Sequence, residues 1–111
     1  MDENAFLDIA DAQMAQLEQD IESAADDADI DLDLESRPGG ILELEFPNGS
    51  KMVINRHAAA REIWVAARSG GFHYRPENGR WLNTRDGEDL YAALNRLLSE
   101  QAGTTLRLPA R

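Results

Sequence analysis

The sequence predicts an α+β fold: a two-layer α/β sandwich in which two helices pack on one face of a five- to six-stranded antiparallel sheet, in the order helix, strands, helix. Three observations lead there. The opening segment carries apolar residues at three- and four-residue steps, the middle alternates in short runs divided by turn residues, and the stretch after Gly87 returns to helical spacing. A chain of 111 residues supplies one modest core, so both helices must bury their stripes on the same sheet. Residues 1–111 are therefore read as a single domain.

In the first helix, about Glu3 to Ala25, Phe6, Ile9, Ala10, Leu17, Ile21 and Ala24 share one arc at about 100° per residue, and Asp8, Asp11, Glu18 and Glu22 share another. Asp26-Asp27-Ala28 ends the pattern. Asp29 to Glu35 then alternates strictly, which places Ile30, Leu32 and Leu34 inward and the acids outward, as in a half-buried strand. A turn over Ser36 to Gly40 leads to a second strand, Ile41 to Phe46. Asn48-Gly49 accepts the positive φ angles of a tight hairpin, and Lys51 to Asn55 must return antiparallel. Glu62 to Ala67, Gly71 to Tyr74 and Arg80 to Asn83 complete a meander, separated by Ser69-Gly70-Gly71 and Glu77-Asn78-Gly79. Acids between Asp86 and Asp89 favour the start of a second helix, Leu90, Tyr91, Leu94, Leu97 and Leu98 form its stripe, and Gly103 stops it. Thr104 to Leu108 should run back over the helical layer as an extended tail.

Composition narrows the chemistry. The chain has no cysteine, which excludes disulfides, thiolate zinc sites and an iron–sulfur cluster held on its own thiolates. Any metal must sit on oxygen or imidazole. The N-terminus lacks a basic segment followed by an apolar one, and no run approaches the roughly 18 apolar residues of a membrane span, so a bacterial cytoplasmic location is expected. The net charge of −10 is unevenly placed: residues 1–45 hold 15 acids against Arg37 alone, giving −14, and residues 46–111 hold 6 acids against 10 Lys/Arg, giving +4. Such a field repels nucleic acid and anionic lipid and attracts cations or basic protein patches.

Catalytic signatures are absent: there is no glycine-rich phosphate loop, metalloprotease helix motif or nucleophile elbow. His57 reads as a loop residue, and His73, between Phe72 and Tyr74, as a partly buried strand side chain in preference to a metal or haem ligand. The acidic face is the main candidate site, weighed against the plainer reading of a solvated face that keeps the protein soluble. Acids stacked along a helix face and repeated on the next strand repel one another and work against the fold, a cost that a cation or basic partner would relieve. Carboxylate oxygens suit hard and borderline ions but discriminate poorly, so binding should be weak, multiple and promiscuous. Alternation in Glu62 to Ala67 sends Ile63 and Val65 to one face and Trp64 with Ala66 to the other; if the helices cover the first face, Trp64 lies on the open face as an interface anchor, and otherwise it is the core residue. Trp81 is left to packing.

An acidic first helix and first strand, Phe46-Pro47-Asn48-Gly49-Ser50-Lys51, Ile54-Asn55-Arg56, Ile63-Trp64-Val65-Ala66, Gly70-Gly71-Phe72-His73-Tyr74, and Trp81 before Gly87-Glu88-Asp89-Leu90 together resemble the bacterial branch of the frataxin family. The likeness runs in register from Phe6 to about Gly103, and its specificity lies in the order and spacing of the segments. It implies the frataxin-like sandwich and a non-enzymatic role in iron–sulfur cluster assembly. It further implies weak Fe2+ and Fe3+ binding on a ridge of Asp11, Glu18, Glu22, Asp26, Asp27, Asp29, Asp31 and Asp33. Docking on the cysteine desulfurase and scaffold machinery would use Glu18, Glu22, Asp29 and Asp31 with Asn55 and Trp64, the protein being a monomer unless iron drives self-association. Gln19, Asp20, Ser23 and Ala25 depart from the family's denser acid pattern, and the turn at Ser36 to Gly40 is slightly longer. Two alternatives stand beside this reading. A ferroxidase or iron store would need two irons held close together, and no Glu-x-x-His pair of the di-iron bundle type is present. A metal-independent acidic interaction module would bind its partner after strict metal removal.

Overall fold

A computed structural model describes residues 1–110. Its elements are α1 (Glu3–Asp27), β1 (Asp33–Arg37), β2 (Ile41–Glu45), β3 (Lys51–His57), β4 (Glu62–Ala67), β5 (Gly70–Glu77), β6 (Arg80–Asn83) and α2 (Leu90–Ala102). The six strands form one antiparallel sheet in sequence order, the predicted meander. Phe6, Ala10, Met14, Leu17, Ile21 and Ala24 of α1 and Leu90, Ala93, Leu94, Leu97 and Leu98 of α2 are buried against Leu42, Leu44, Met52, Ile54, Ile63, Val65 and Tyr74 of the sheet. Trp81 joins this core edge-on to Phe6, centroids 6.0 Å apart. Ile9 does not: it lies at the margin of the apolar arc and is 40% exposed.

The ends of α1 show why the acidic segment takes its shape. Asp2 caps the helix by accepting the Ala5 N–H at 2.8 Å. At the other end Asp29 adopts a left-handed φ of 57° while its N–H donates to Asp26 O and that of Ile30 to Ala25 O. This pair of bonds is a Schellman closure with an aspartate where glycine is usual. It turns the chain by one residue and sends Ile30 and Leu32 back onto the core. The first strand was expected over Asp29 to Glu35 but pairs only from Asp33, opposite Glu45, because β2 ends before Pro47 and offers nothing to the residues upstream. It continues instead to Arg37, so the turn contracts to Pro38-Gly39-Gly40. Gly40 has a φ of 72°, and a Cβ there would strike the Arg56 side chain.

Two strands run longer than predicted. β3 extends to His57, which pairs with Glu62 and so is a strand residue, contrary to the loop expected for it. β5 begins at Gly70 and reaches Glu77, because its partner β6 supports it to the Glu77↔Arg80 pair. α2 begins at Leu90, capped by Asp89, whose side chain accepts the Tyr91 N–H at 3.0 Å. Gly103 ends it in the left-handed conformation. The tail lies back on α2 as expected: Ser99 Oγ accepts the Leu106 N–H, Asn95 Oδ1 accepts that of Leu108, and both leucines are buried.

Candidate functional site

The helices leave the opposite face of the sheet open, and register identifies its occupants. Asp33 and Glu45, Glu35 and Glu43, Asn55 and Trp64, and Trp64 and His73 are direct cross-strand neighbours. With Ile63 and Val65 buried under the helices, Trp64 lies on the open face, where the alternation placed it. α1 packs over β1, β2 and β3, which sets the acidic end of the helix beside the acidic edge strand.

On α1, Asp11, Glu18, Glu22 and Asp26 fall within an arc of about 80°, whereas Asp27 is rotated about 100° beyond Asp26. The chain then brings Asp29, Asp31 and Asp33 around the helix end, all exposed. Among the described residues, Glu18, Glu22, Asp26, Asp27, Asp29, Asp31 and Asp33 make no side-chain hydrogen bond or ion pair. Asp11 differs, because Arg56 reaches from β3 past Gly40 and donates to its carboxylate. The sequence offered no sign of that contact, which withdraws Asp11 from the row of unpaired acids. Asp20 is also apart: it is buried, accepts from the Tyr91 hydroxyl at 2.8 Å and the Gln16 amide at 3.0 Å, and ties α1 to α2.

Of the other acids in residues 1–45, Glu3, Asp8 and Glu45 are likewise exposed without a side-chain partner, whereas Asp2 caps α1. Arg37 spans the Glu35 and Glu43 pair on the open face, and its bond to Glu43 together with the two negative charges raises its guanidinium further above the ordinary value. Among the described residues every side-chain carboxylate from β4 onward has a partner: Glu62 with Trp64, Glu77 with Arg75, Asp86 with the Glu88 N–H, Glu88 and Glu100 with Arg96, and Asp89 with the α2 cap. The unpaired acids among the described residues therefore all lie on α1, the segment after it and the first two strands, and none lies from β4 onward. No group of three or more metal-capable side chains is assembled among the described residues. The acidic edge can meet a hard cation through one or two carboxylates at a time, with the ion keeping much of its water.

In the middle of the open face Trp64 is half-buried, its Nε1–H donating to Glu62 Oε1 at 2.7 Å. His57 stacks on one side at a centroid distance of 3.8 Å and His73 on the other at 4.3 Å. His73 is exposed and not partly buried as its neighbours Phe72 and Tyr74 suggested, because strand alternation turns it toward solvent. Continuing the alternation of Lys51, Val53 and Asn55 by one more step would have placed His57 here. Asn55 is half-buried beside Trp64, its amide donating to Arg56 O at 3.1 Å.

Residues 1–104 match the model of the frataxin-like domain. The iron–sulfur cluster assembly protein CyaY of Cupriavidus taiwanensis is 50% identical over 106 residues, covering 96% of this chain and 95% of its own. Its namesake in Cupriavidus necator is 49% identical over 108 residues, with 97% and 96% covered. Among solved structures, frataxin from Psychromonas ingrahamii superposes with a TM-score of 0.80 at 30% identity, covering 99% of this chain and 100% of that one. Trimeric yeast frataxin complexed with ferrous iron superposes at 0.73 with 27% identity, covering 86% and 87%.

Proposed function

The chain belongs to the frataxin family, and on that footing we propose that it is an accessory protein of iron–sulfur cluster assembly that holds Fe2+ or Fe3+ weakly on its acidic edge and docks there on the cysteine desulfurase. The observation that carries this reading is the segregation of unpaired charge. Glu18, Glu22, Asp26, Asp27, Asp29, Asp31 and Asp33 stand without partners, while the acids from β4 onward are matched by arginines, backbone N–H groups or the Trp64 indole. A purely solubilising surface has no need to sort its charges in this way. Relief of mutual repulsion favours a cation or a basic protein surface, and the open, unassembled geometry favours weak binding. The ferrous complex of yeast frataxin and the names of the bacterial relatives support the iron and cluster-assembly parts of the proposal.

The desulfurase would meet the acidic edge and the adjoining open face, with Asn55 and Trp64 near the centre of the contact. The charges supply steering and orientation, and the aromatic centre supplies contact area. The deciding experiment is an anaerobic Fe2+ titration of the metal-free protein followed by amide NMR. Broadening confined to residues 18–33 is expected. Broadening centred on His73 or Trp81, or none anywhere, would overturn the iron assignment and leave a metal-free docking surface.

A further inference from the structure

Trp64 is held from every side. His73 lies directly opposite it on β5, whereas His57 reaches it along the diagonal on β3, since its direct neighbour there is Asn55. The rings are nearly parallel, at 15° and 9° to the indole, and form one ladder across three strands. Glu62 Oε1 fixes the remaining freedom by accepting the indole N–H and lying 3.5 Å from His73 Nδ1. Both faces of the indole are thereby covered. A partner approaching the open face meets the edges of three rings and not a bare π surface.

We infer that His57, His73 and Glu62 are positioning residues that hold Trp64 in a single orientation for docking, and that the two imidazole edges take part in recognition. The inference rests on the docking surface proposed above. Its physical basis is preorganisation: a side chain already ordered in the free protein loses little entropy when a partner covers it. The hydrogen bonds also set the polarity of the platform. His57 Nδ1 accepts the Ala60 N–H at 3.2 Å, so in the neutral ring its proton is on Nε2, a donor. His73 Nδ1 lies 3.5 Å from Glu62 Oε1. The platform thus offers a donor at His57 to a carbonyl or carboxylate of the partner.

The test uses the full chain, 15N-labelled, with the variants H73A, H73F, E62A and W64A, and measures the heteronuclear NOE of the indole N–H groups alongside affinity for the cysteine desulfurase. Trp81, buried against Phe6, supplies an internal reference for an intact fold. In H73A and E62A the Trp64 NOE is expected to fall while that of Trp81 holds, and docking to weaken by about two- to tenfold, the range that one aromatic contact or one immobilised side chain commands. H73F should restore the NOE fully and the affinity only in part, because phenylalanine stacks but carries no ring nitrogen. An unchanged Trp64 NOE in H73A and E62A overturns the positioning role. So does unchanged docking in H73A when W64A weakens it. If W64A leaves docking intact, the docking surface itself has failed and the inference with it, and the NOE still reports whether the ladder orders the ring.

Discussion

At the scale of single residues, the ridge acids and the groups that oppose them have opposite energetic signs. Glu18, Glu22, Asp29 and Asp31 repel one another without a counter-ion, so replacing the four by Gln and Asn should raise the thermal midpoint while weakening both Fe2+ binding and desulfurase docking. Asparagine is the right choice at position 29, since it tolerates the left-handed φ of 57° that closes α1. A fall in thermal midpoint would show that these acids make structural contacts and would remove the basis of the ridge. Tyr74 poses a different problem. Its hydroxyl is buried with no well-formed hydrogen bond, and burial, reinforced by the Glu88 charge and only partly offset by the nearby Asn83 side chain, pushes its pKa from 10.0 to about 12. The folded state holds this proton more tightly than the unfolded chain, so the contribution to stability is complete below pH 10 and is lost as pH rises toward about 12. Tyr74→Phe should therefore flatten the alkaline limb of a stability-against-pH curve and cost nothing at neutral pH, as thermal melts across that range would show.

At the scale of elements, the two layers are joined by a few buried polar side chains as well as by the apolar core. Gln101 on α2 is the main one: its amide donates to Lys51 O at 2.7 Å and to Ser50 Oγ at 3.1 Å, and its carbonyl accepts the Arg68 N–H at 3.2 Å. It thereby ties the helix end to the start of β3 and to the turn after β4. Gln101→Leu keeps the volume and strands those partners in a buried setting, and should destabilise by about 2 kcal/mol or more in denaturant unfolding, well above the cost of a surface change. Asp20 plays a comparable part between α1 and α2 through Tyr91 and Gln16. In sequence it reads as one more acid of an acidic helix. Only its angular position, about 160° from Glu22 around the helix, separates it from the ridge.

At the scale of the whole molecule, the −14 of residues 1–45 against the +4 of the remainder makes the protein strongly dipolar. Two salt effects of opposite sign follow. Raising ionic strength from about 0.05 to 0.5 M screens the ridge, so the thermal midpoint should rise, and that rise should shrink in the four-acid variant. Over the same range the association rate with the desulfurase should fall steeply while dissociation changes little, because steering by charge acts on encounter. Stopped-flow binding at several salt concentrations separates the two rates, and a salt-independent association rate would exclude the acidic edge as the docking surface.

Much of this was legible from residue order. Alternation and turn residues set the meander of six strands, helical spacing set both helices, and the strand period alone placed Trp64 on the face opposite Ile63 and Val65. Family membership and the acidic edge were likewise readable, because they depend on local pattern and on composition. What the sequence could not decide was pairing between distant residues. That Arg56 neutralises Asp11, that Asp20 is buried under Tyr91, and that His57 and His73 close on Trp64 from two different strands are consequences of register and helix docking. A charge or a ring carries the same one-dimensional signal whether or not a partner 45 or 71 residues away folds onto it. Local periodicity therefore determined which face each side chain occupies, and only the tertiary structure determined which of the acids remain unpaired.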